Sequence, residues 1–156
     1  MEDKKRSFDS LVRNVRGIAE SQCGTDAKLL GICTLLRDRV SYYDWVGFYR
    51  VGERSDKELV LGPYVGEPTE DVRIPFGCGV CGRAAERKET FVVQDVSQET
   101  NYLSCSSKVK SEIVAPIFKG GEIVGELDID SHTVSPFTDD DREFLEKVCE
   151  IVSELF

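Results

Sequence analysis

The sequence predicts an α+β domain in which helices from both ends of the chain flank a central, mostly antiparallel β-sheet. Three observations carry that expectation. Apolar residues recur at helical spacing near both ends, and β-branched and aromatic residues concentrate between residues 44 and 130. The last two strand-like runs meet at a Gly120-Gly121 dipeptide, a strong hairpin signal. A chain of 156 residues, 40% of them hydrophobic, fits a single domain spanning 1–156 with enough apolar material for a core.

In chain order, Phe8, Leu11, Val12, Val15, Ile18 and Ala19 fall three and four apart, which predicts an amphipathic helix over 5–20. Thr25-Asp26 is a candidate cap for a second helix reaching about Val40. Asp44 to Val51 and Glu58 to Tyr64 read as a strand pair, followed by a short run, Val72 to Ile74, that stops at Pro75. Gly77 to Lys88 predicts one or two helical turns, and Thr90 to Gln94 a strand. Asp95 to Lys110 is a polar loop of a length that usually serves function. Ser111 to Lys119 and Glu122 to Asp130 form the hairpin, and Thr138 caps a last helix carrying Phe144, Leu145, Val148, Cys149 and Val152. All helices are expected on one face of the sheet.

Composition excludes several functions. A formal charge of −9 disfavours nucleic acid as a partner. No apolar run approaches the ~20 residues that span a bilayer. The polar start, Met1 to Ser7, leads into no apolar signal core, so a cytoplasmic protein is expected. In that reducing compartment the six cysteines are core packing or working thiols. Cys33 and Cys149 sit among helical apolar residues, and Cys23 lies in a turn. Cys78, Cys81 and Cys105 lie in Gly- or Ser-rich segments. With a single histidine, His132, the Cys78-x-x-Cys81 pair lacks two of the four ligands of a structural zinc site, so neither metal nor cofactor is expected.

The unusual feature is acidic. Asp128 and Asp130 alternate with Leu127 and Ile129, so both carboxylates leave one face of a strand. Pairing counted from Gly120-Gly121 sets Glu112 opposite Ile129, and the three acids gather only if a bulge or bend turns Glu112 toward the aspartates. Crowded carboxyls hold protons to higher pH, as a general acid must. Cys105, seven residues before Glu112 on the polar loop, is a candidate nucleophile.

Taken together, several segments resemble one family. They are Asp44-Trp45-Val46-Gly47-Phe48-Tyr49, Leu59 to Tyr64, Phe76 to Gly82, Cys105 followed by Ser111 to Pro116, and Gly125 to Ser131. In this order they resemble free methionine-(R)-sulfoxide reductase, a single GAF domain. The resemblance implies an antiparallel sheet with flanking helices, a closed pocket for free methionine sulfoxide, often a homodimer, and recycling by a thioredoxin-like reductant. It assigns Cys105 as catalytic thiol and Cys81 as resolving thiol, with Cys78 a candidate accessory thiol. Glu112, Asp128 and Asp130 match the substrate-binding and catalytic carboxylates, and Trp45 and Tyr49 the aromatic wall. The chain departs from the family where a further cysteine is replaced by Asp71. It departs again around the nucleophile, where Gly-His-Ile-x-Cys-Asp reads Asn101-Tyr-Leu-Ser-Cys105-Ser106.

The expected reaction is thiol-dependent reduction of free L-methionine (R)-sulfoxide through a Cys105 sulfenic acid and an intramolecular disulfide. The competing expectation is a non-catalytic GAF module that binds a small ligand or senses redox state.

Overall fold

A computed structural model of the chain describes residues 2–52, 57–99 and 108–156. Helix α1 (Glu2–Ala19) buries Phe8, Leu11 and Val15, and helix α2 (Thr25–Arg39) buries Leu29, Ile32, Cys33 and Leu36. The α2 cap differs from expectation. Gly24, extended at φ −68° and ψ 164°, is the N-cap, and Thr25 is already helical. Asp26 lies in the first turn and pairs with Arg50, whose Nη2 is 2.6 Å from its Oδ1.

The strands are β1 (Trp45–Val51), β2 (Glu58–Val65), β3 (Arg73–Pro75), β4 (Phe91–Val93), β5 (Ser111–Lys119) and β6 (Glu122–Ser131). Helix α3 (Gly79–Arg87) sits between β3 and β4, and α4 (Asp139–Val152) follows β6. The strands form one six-stranded sheet in the order β3-β2-β1-β6-β5-β4, with every pairing antiparallel. Within the expected polar loop, Val96–Gln98 forms a 3-10 turn. Cys105 lies outside the described residues.

Strand alternation gives the sheet two different faces. Val46, Phe48, Ile113, Ala115, Leu127 and Ile129 point to one side, where they pack with the apolar stripes of α1, α2 and α4. Trp45, Tyr49, Leu59, Val93 and Val114 meet Val80, Cys81, Ala84 and Ala85 of α3. The expectation of helices on one face is therefore corrected. Helix α3 covers the opposite face, because Val80, Cys81, Ala84 and Ala85 give it an apolar stripe of its own.

Buried polar bonding fixes the larger core. Fully buried Asp141, in the first turn of α4, accepts hydrogen bonds from the Tyr42 and Tyr43 hydroxyls, each at 2.8 Å. It also pairs with Lys4 of α1 and accepts the Thr138 backbone N–H at 2.8 Å. One carboxylate thus ties α1 and the approach to β1 to the start of α4. Among the described residues no helix is long and apolar enough to cross a membrane.

Candidate functional site

The site lies on the α3 face of the sheet, and it depends on a single extra residue. Next to the Gly120-Gly121 turn, Lys119 pairs with Glu122 and Phe118 with Ile123. Beyond Ile117 the register shifts, so that Ile117 pairs with Gly125 and Val124 is left over as a bulge on β6. A one-residue slip exchanges the two faces of a strand. Glu112 therefore stands opposite Asp130, not Ile129, and Val114 stands opposite Asp128. The bulge that the sequence reading required is present, and Glu112 joins Asp128 and Asp130 on one face.

Strand β1 supplies the other side. Trp45 pairs with Asp130, Gly47 with Asp128 and Tyr49 with Glu126. A side chain at Gly47 would run into the Trp45 ring, since a Cβ there would lie 2.4 Å from Trp45 Cη2. Glycine at this position lets the indole fold over β1. The ring stacks on Tyr64 with centroids 5.2 Å apart, and its Nε1 donates to the Glu67 carbonyl at 3.0 Å. The Tyr49 hydroxyl donates to the Asp71 carbonyl at 2.9 Å. Both aromatic walls are thereby tied to the segment between β2 and β3.

From the opposite side α3 presents Cys81. The helix approaches closely because Gly82 has no side chain; a Cβ there would sit 2.5 Å from the Pro75 carbonyl oxygen. The Cys81 thiol donates to Glu112 Oε2 at 3.8 Å. Cys81 Sγ and one oxygen each of Glu112 and Asp128 lie within 4.8 Å of one another. Trp45, Tyr49, Asp71, Cys78, Cys81, Glu112, Asp128 and Asp130 all line one narrow cavity. Its open space of about 10 Å³ suits a water-sized group, so a larger ligand has to part the walls.

The electrostatics are those of acids kept from water. Glu112, Asp128 and Asp130 are each at most 4% exposed, and Glu126 is fully buried. Among the described residues, Glu112, Glu126 and Asp128 have no salt bridge. Neither oxygen of Glu126 nor Asp128 Oδ1 finds a hydrogen-bond partner there. Burial, reinforced by the neighbouring Asp128 and Asp130, pushes the Glu112 carboxyl well above the usual carboxylate range. Burial and then Asp128 do the same to Glu126. Burial also raises Asp128, although its hydrogen bond with Glu112 pulls the other way. The Cys81 thiol is pushed well up, first by burial and then by the acids around it, so it rests protonated. The site stores protons and keeps a thiol beside them.

Of the residues nominated from sequence, Trp45, Tyr49, Cys78, Cys81, Glu112, Asp128 and Asp130 converge on this cavity, and Cys105 is outside the described residues. Two acids at or beside the cavity went unrecognised. Asp71, noted only as a departure from the family pattern, lines the cavity and is raised by burial and then by Glu70. Glu126 escaped notice although it continues the Asp128, Asp130 alternation by one step, a signal present in the sequence.

Comparison with known proteins agrees with this architecture. The profile of the GAF domain matches residues 9–154. The chain is 34% identical over 146 residues to free methionine-R-sulfoxide reductase of Escherichia coli, covering 94% of this chain and 86% of that one. It is 34% identical over 149 residues to GAF domain-containing protein A of Dictyostelium discoideum, covering 96% and 92% of the two chains. Among solved structures, free methionine-R-sulfoxide reductase from Neisseria meningitidis in complex with its substrate superposes with a TM-score of 0.89 at 35% identity. That match covers 96% of this chain and 87% of the other.

Proposed function

The chain belongs to the GAF-domain family, and within that family we propose that it is an oxidoreductase that reduces free L-methionine (R)-sulfoxide to methionine. One observation carries the reading. Three buried carboxyls, Glu112, Asp128 and Asp130, surround a cavity that also holds the Cys81 thiol and is walled by Trp45 and Tyr49. Relatives that align over nearly the whole chain bear the name of this reductase.

The chemistry needs these groups. A sulfoxide sulfur becomes electrophilic when its oxygen is protonated, because hydroxide leaves poorly and water leaves well. Glu112, which keeps its proton to unusually high pH, is suited to deliver it, with the aspartate pair as the other source. In the proposed first step the Cys105 thiolate attacks the sulfoxide sulfur as the acid protonates the oxygen. The oxygen leaves as water, and the Cys105 sulfur is joined to the substrate sulfur as a sulfonium. Water then attacks the Cys105 sulfur, the sulfur–sulfur bond breaks with its electron pair going to the substrate, methionine departs, and Cys105 is left as a sulfenic acid with one proton released. Cys81, or Cys78 beside it on the cavity wall, then bonds to the Cys105 sulfur. The hydroxyl leaves and takes up the resolving thiol's proton to form water. A thioredoxin-like dithiol reduces the disulfide and closes the cycle.

Burial suits Cys81 to the resolving role. A thiol raised by its surroundings stays protonated until the sulfenic acid forms, and that proton balances the departing hydroxide. The carboxyls also suit the free amino acid: once deprotonated they can hold its ammonium group, while Trp45 packs against its methyl group.

The test is incubation of the reduced protein with free methionine (R)-sulfoxide and a dithiol, with methionine measured as product. Turnover with the R epimer that Cys105→Ser abolishes is the expected outcome. Ligand binding without methionine formation would favour the non-catalytic module, and near-normal activity of Cys105→Ser would overturn the assignment of the nucleophile.

A further inference from the structure

Counting zinc ligands by cysteine and histidine alone misses what the register shift on β6 assembles. Cys81 Sγ, a Glu112 oxygen and an Asp128 oxygen lie within 4.8 Å of one another, on α3, β5 and β6 respectively. The Cys81 Sγ to Glu112 Oε2 separation of 3.8 Å is close to the roughly 3.5 Å edge between sulfur and oxygen ligands around a tetrahedral zinc. The three side chains are each 4% exposed, and Asp128 Oδ1 has no hydrogen-bond partner among the described residues. The cavity between them, about 10 Å³, fits one small cation or one water.

We propose that the closed pocket binds one thiophilic divalent cation, Zn2+ by ligand type, through Cys81, Glu112 and Asp128. The thiolate selects against Mg2+ and Ca2+, which take oxygen ligands, and the two carboxylates give a hard–soft set that Zn2+ accepts. Binding is an exchange: the Cys81 proton and those held by the two acids leave as the metal enters, so affinity rises with pH. A divalent charge also neutralises carboxyls that form no salt bridge among the described residues. Three protein ligands leave a fourth position open. If the reductase reading holds, Zn2+ occupies the ground that the substrate ammonium would take, and the two compete. That consequence rests on the reductase reading; the binding does not.

The experiment uses the full chain, fully reduced, without substrate. Zn2+ is titrated against a chromophoric chelator, Co2+ is followed by its thiolate charge-transfer band in the near ultraviolet, and metal-dependent protection of each cysteine from alkylation is mapped by mass spectrometry. Expected are one metal per chain, a charge-transfer band, and protection of Cys81 with Cys23 left reactive. Cys81→Ser removes the band and Asp128→Asn weakens Zn2+ at least tenfold, while Cys23→Ser, at an exposed cysteine away from the cavity, retains both band and affinity. Should either of the first two variants fail to fold, the protection pattern of the unaltered chain decides. Binding that survives Cys81→Ser, disappears in Cys23→Ser, or leaves Cys81 as reactive as before would overturn the proposal. Loss of methionine formation in the separate turnover assay bears on the reductase reading alone. With turnover present, Zn2+ that raises the apparent KM without changing kcat supports the shared site, and unchanged kinetics under saturating Zn2+ refutes the competition.

Discussion

Glu112 and Asp130 are direct partners across β5 and β6, and they face the same side only because Val124 is left over on the β6 strand. Carboxylates set opposite each other in a sheet repel, and burying both removes the water that would screen them. The arrangement is stable when protons or a bound cation occupy it. This turns a packing liability into a store of acid, and four expectations follow from it and from its surroundings.

Glu112→Gln keeps the shape of the side chain and removes the proton. Turnover with methionine (R)-sulfoxide is expected to fall by roughly 100-fold or more, the usual worth of a positioned general acid. The melting temperature at neutral pH is expected to hold or rise, because the folded chain no longer has to hold a proton that the unfolded chain releases. Steady-state assays beside thermal melts check both halves.

Glu126 offers a pH test. Its folded-state value lies well above that of the unfolded chain, through burial and the nearby Asp128. The folded chain therefore holds this proton where the unfolded chain has lost it, from about pH 4.3 upward. The stability it contributes is fully present below that pH and is lost as pH rises through the folded-state value. Glu126→Gln escapes the loss, so its melting temperature should gain on the unaltered protein between about pH 5 and about pH 8. A constant difference across that range would refute the assignment.

Thiol reactivity should follow burial. Cys23 is exposed, whereas burial and then the acids hold the Cys81 thiol protonated. Alkylation of the native reduced protein near neutral pH is expected to label Cys23 early and Cys81 late, the order read by peptide mass mapping. Labelling of Cys81 at the rate of Cys23 would contradict this placement of α3.

Gly82→Ala tests the contact that brings α3 to the sheet. A Cβ 2.5 Å from the Pro75 carbonyl forces the helix outward. A loss of about 1–3 kcal/mol is expected, as for overpacking elsewhere, despite alanine's better helix propensity. Denaturant unfolding measures it, and a neutral or stabilising result would show that the contact yields freely.

The local elements were legible because each depends on its own residues. The apolar spacing of Phe8, Leu11 and Val15 marks α1, and Gly120 and Gly121, at φ of 61° and 82°, mark the hairpin. Thr25-Asp26 misled as a cap because the helix begins one residue earlier: Gly24 is the N-cap, and Asp26 lies in the first turn with its carboxylate on Arg50, 24 positions along the chain. Glu126 shows the reverse failure: its alternation with Asp128 was visible, yet nothing in a linear reading said that its carboxyl would be fully buried beside Asp128.

The sequence by itself determined the order of elements, the pairing of β5 with β6 and the chemical kinds of groups available, since periodicity and turn chemistry act over a few residues. Tertiary structure decided which face each group serves. Val124 drops out of the ladder and carries Glu112 to the side of the aspartates, and α3 crosses to that side to set Cys81 against them. Face and proximity are relations between strands and helices distant in the chain, so no local pattern encodes them; packing of the two sheet faces does.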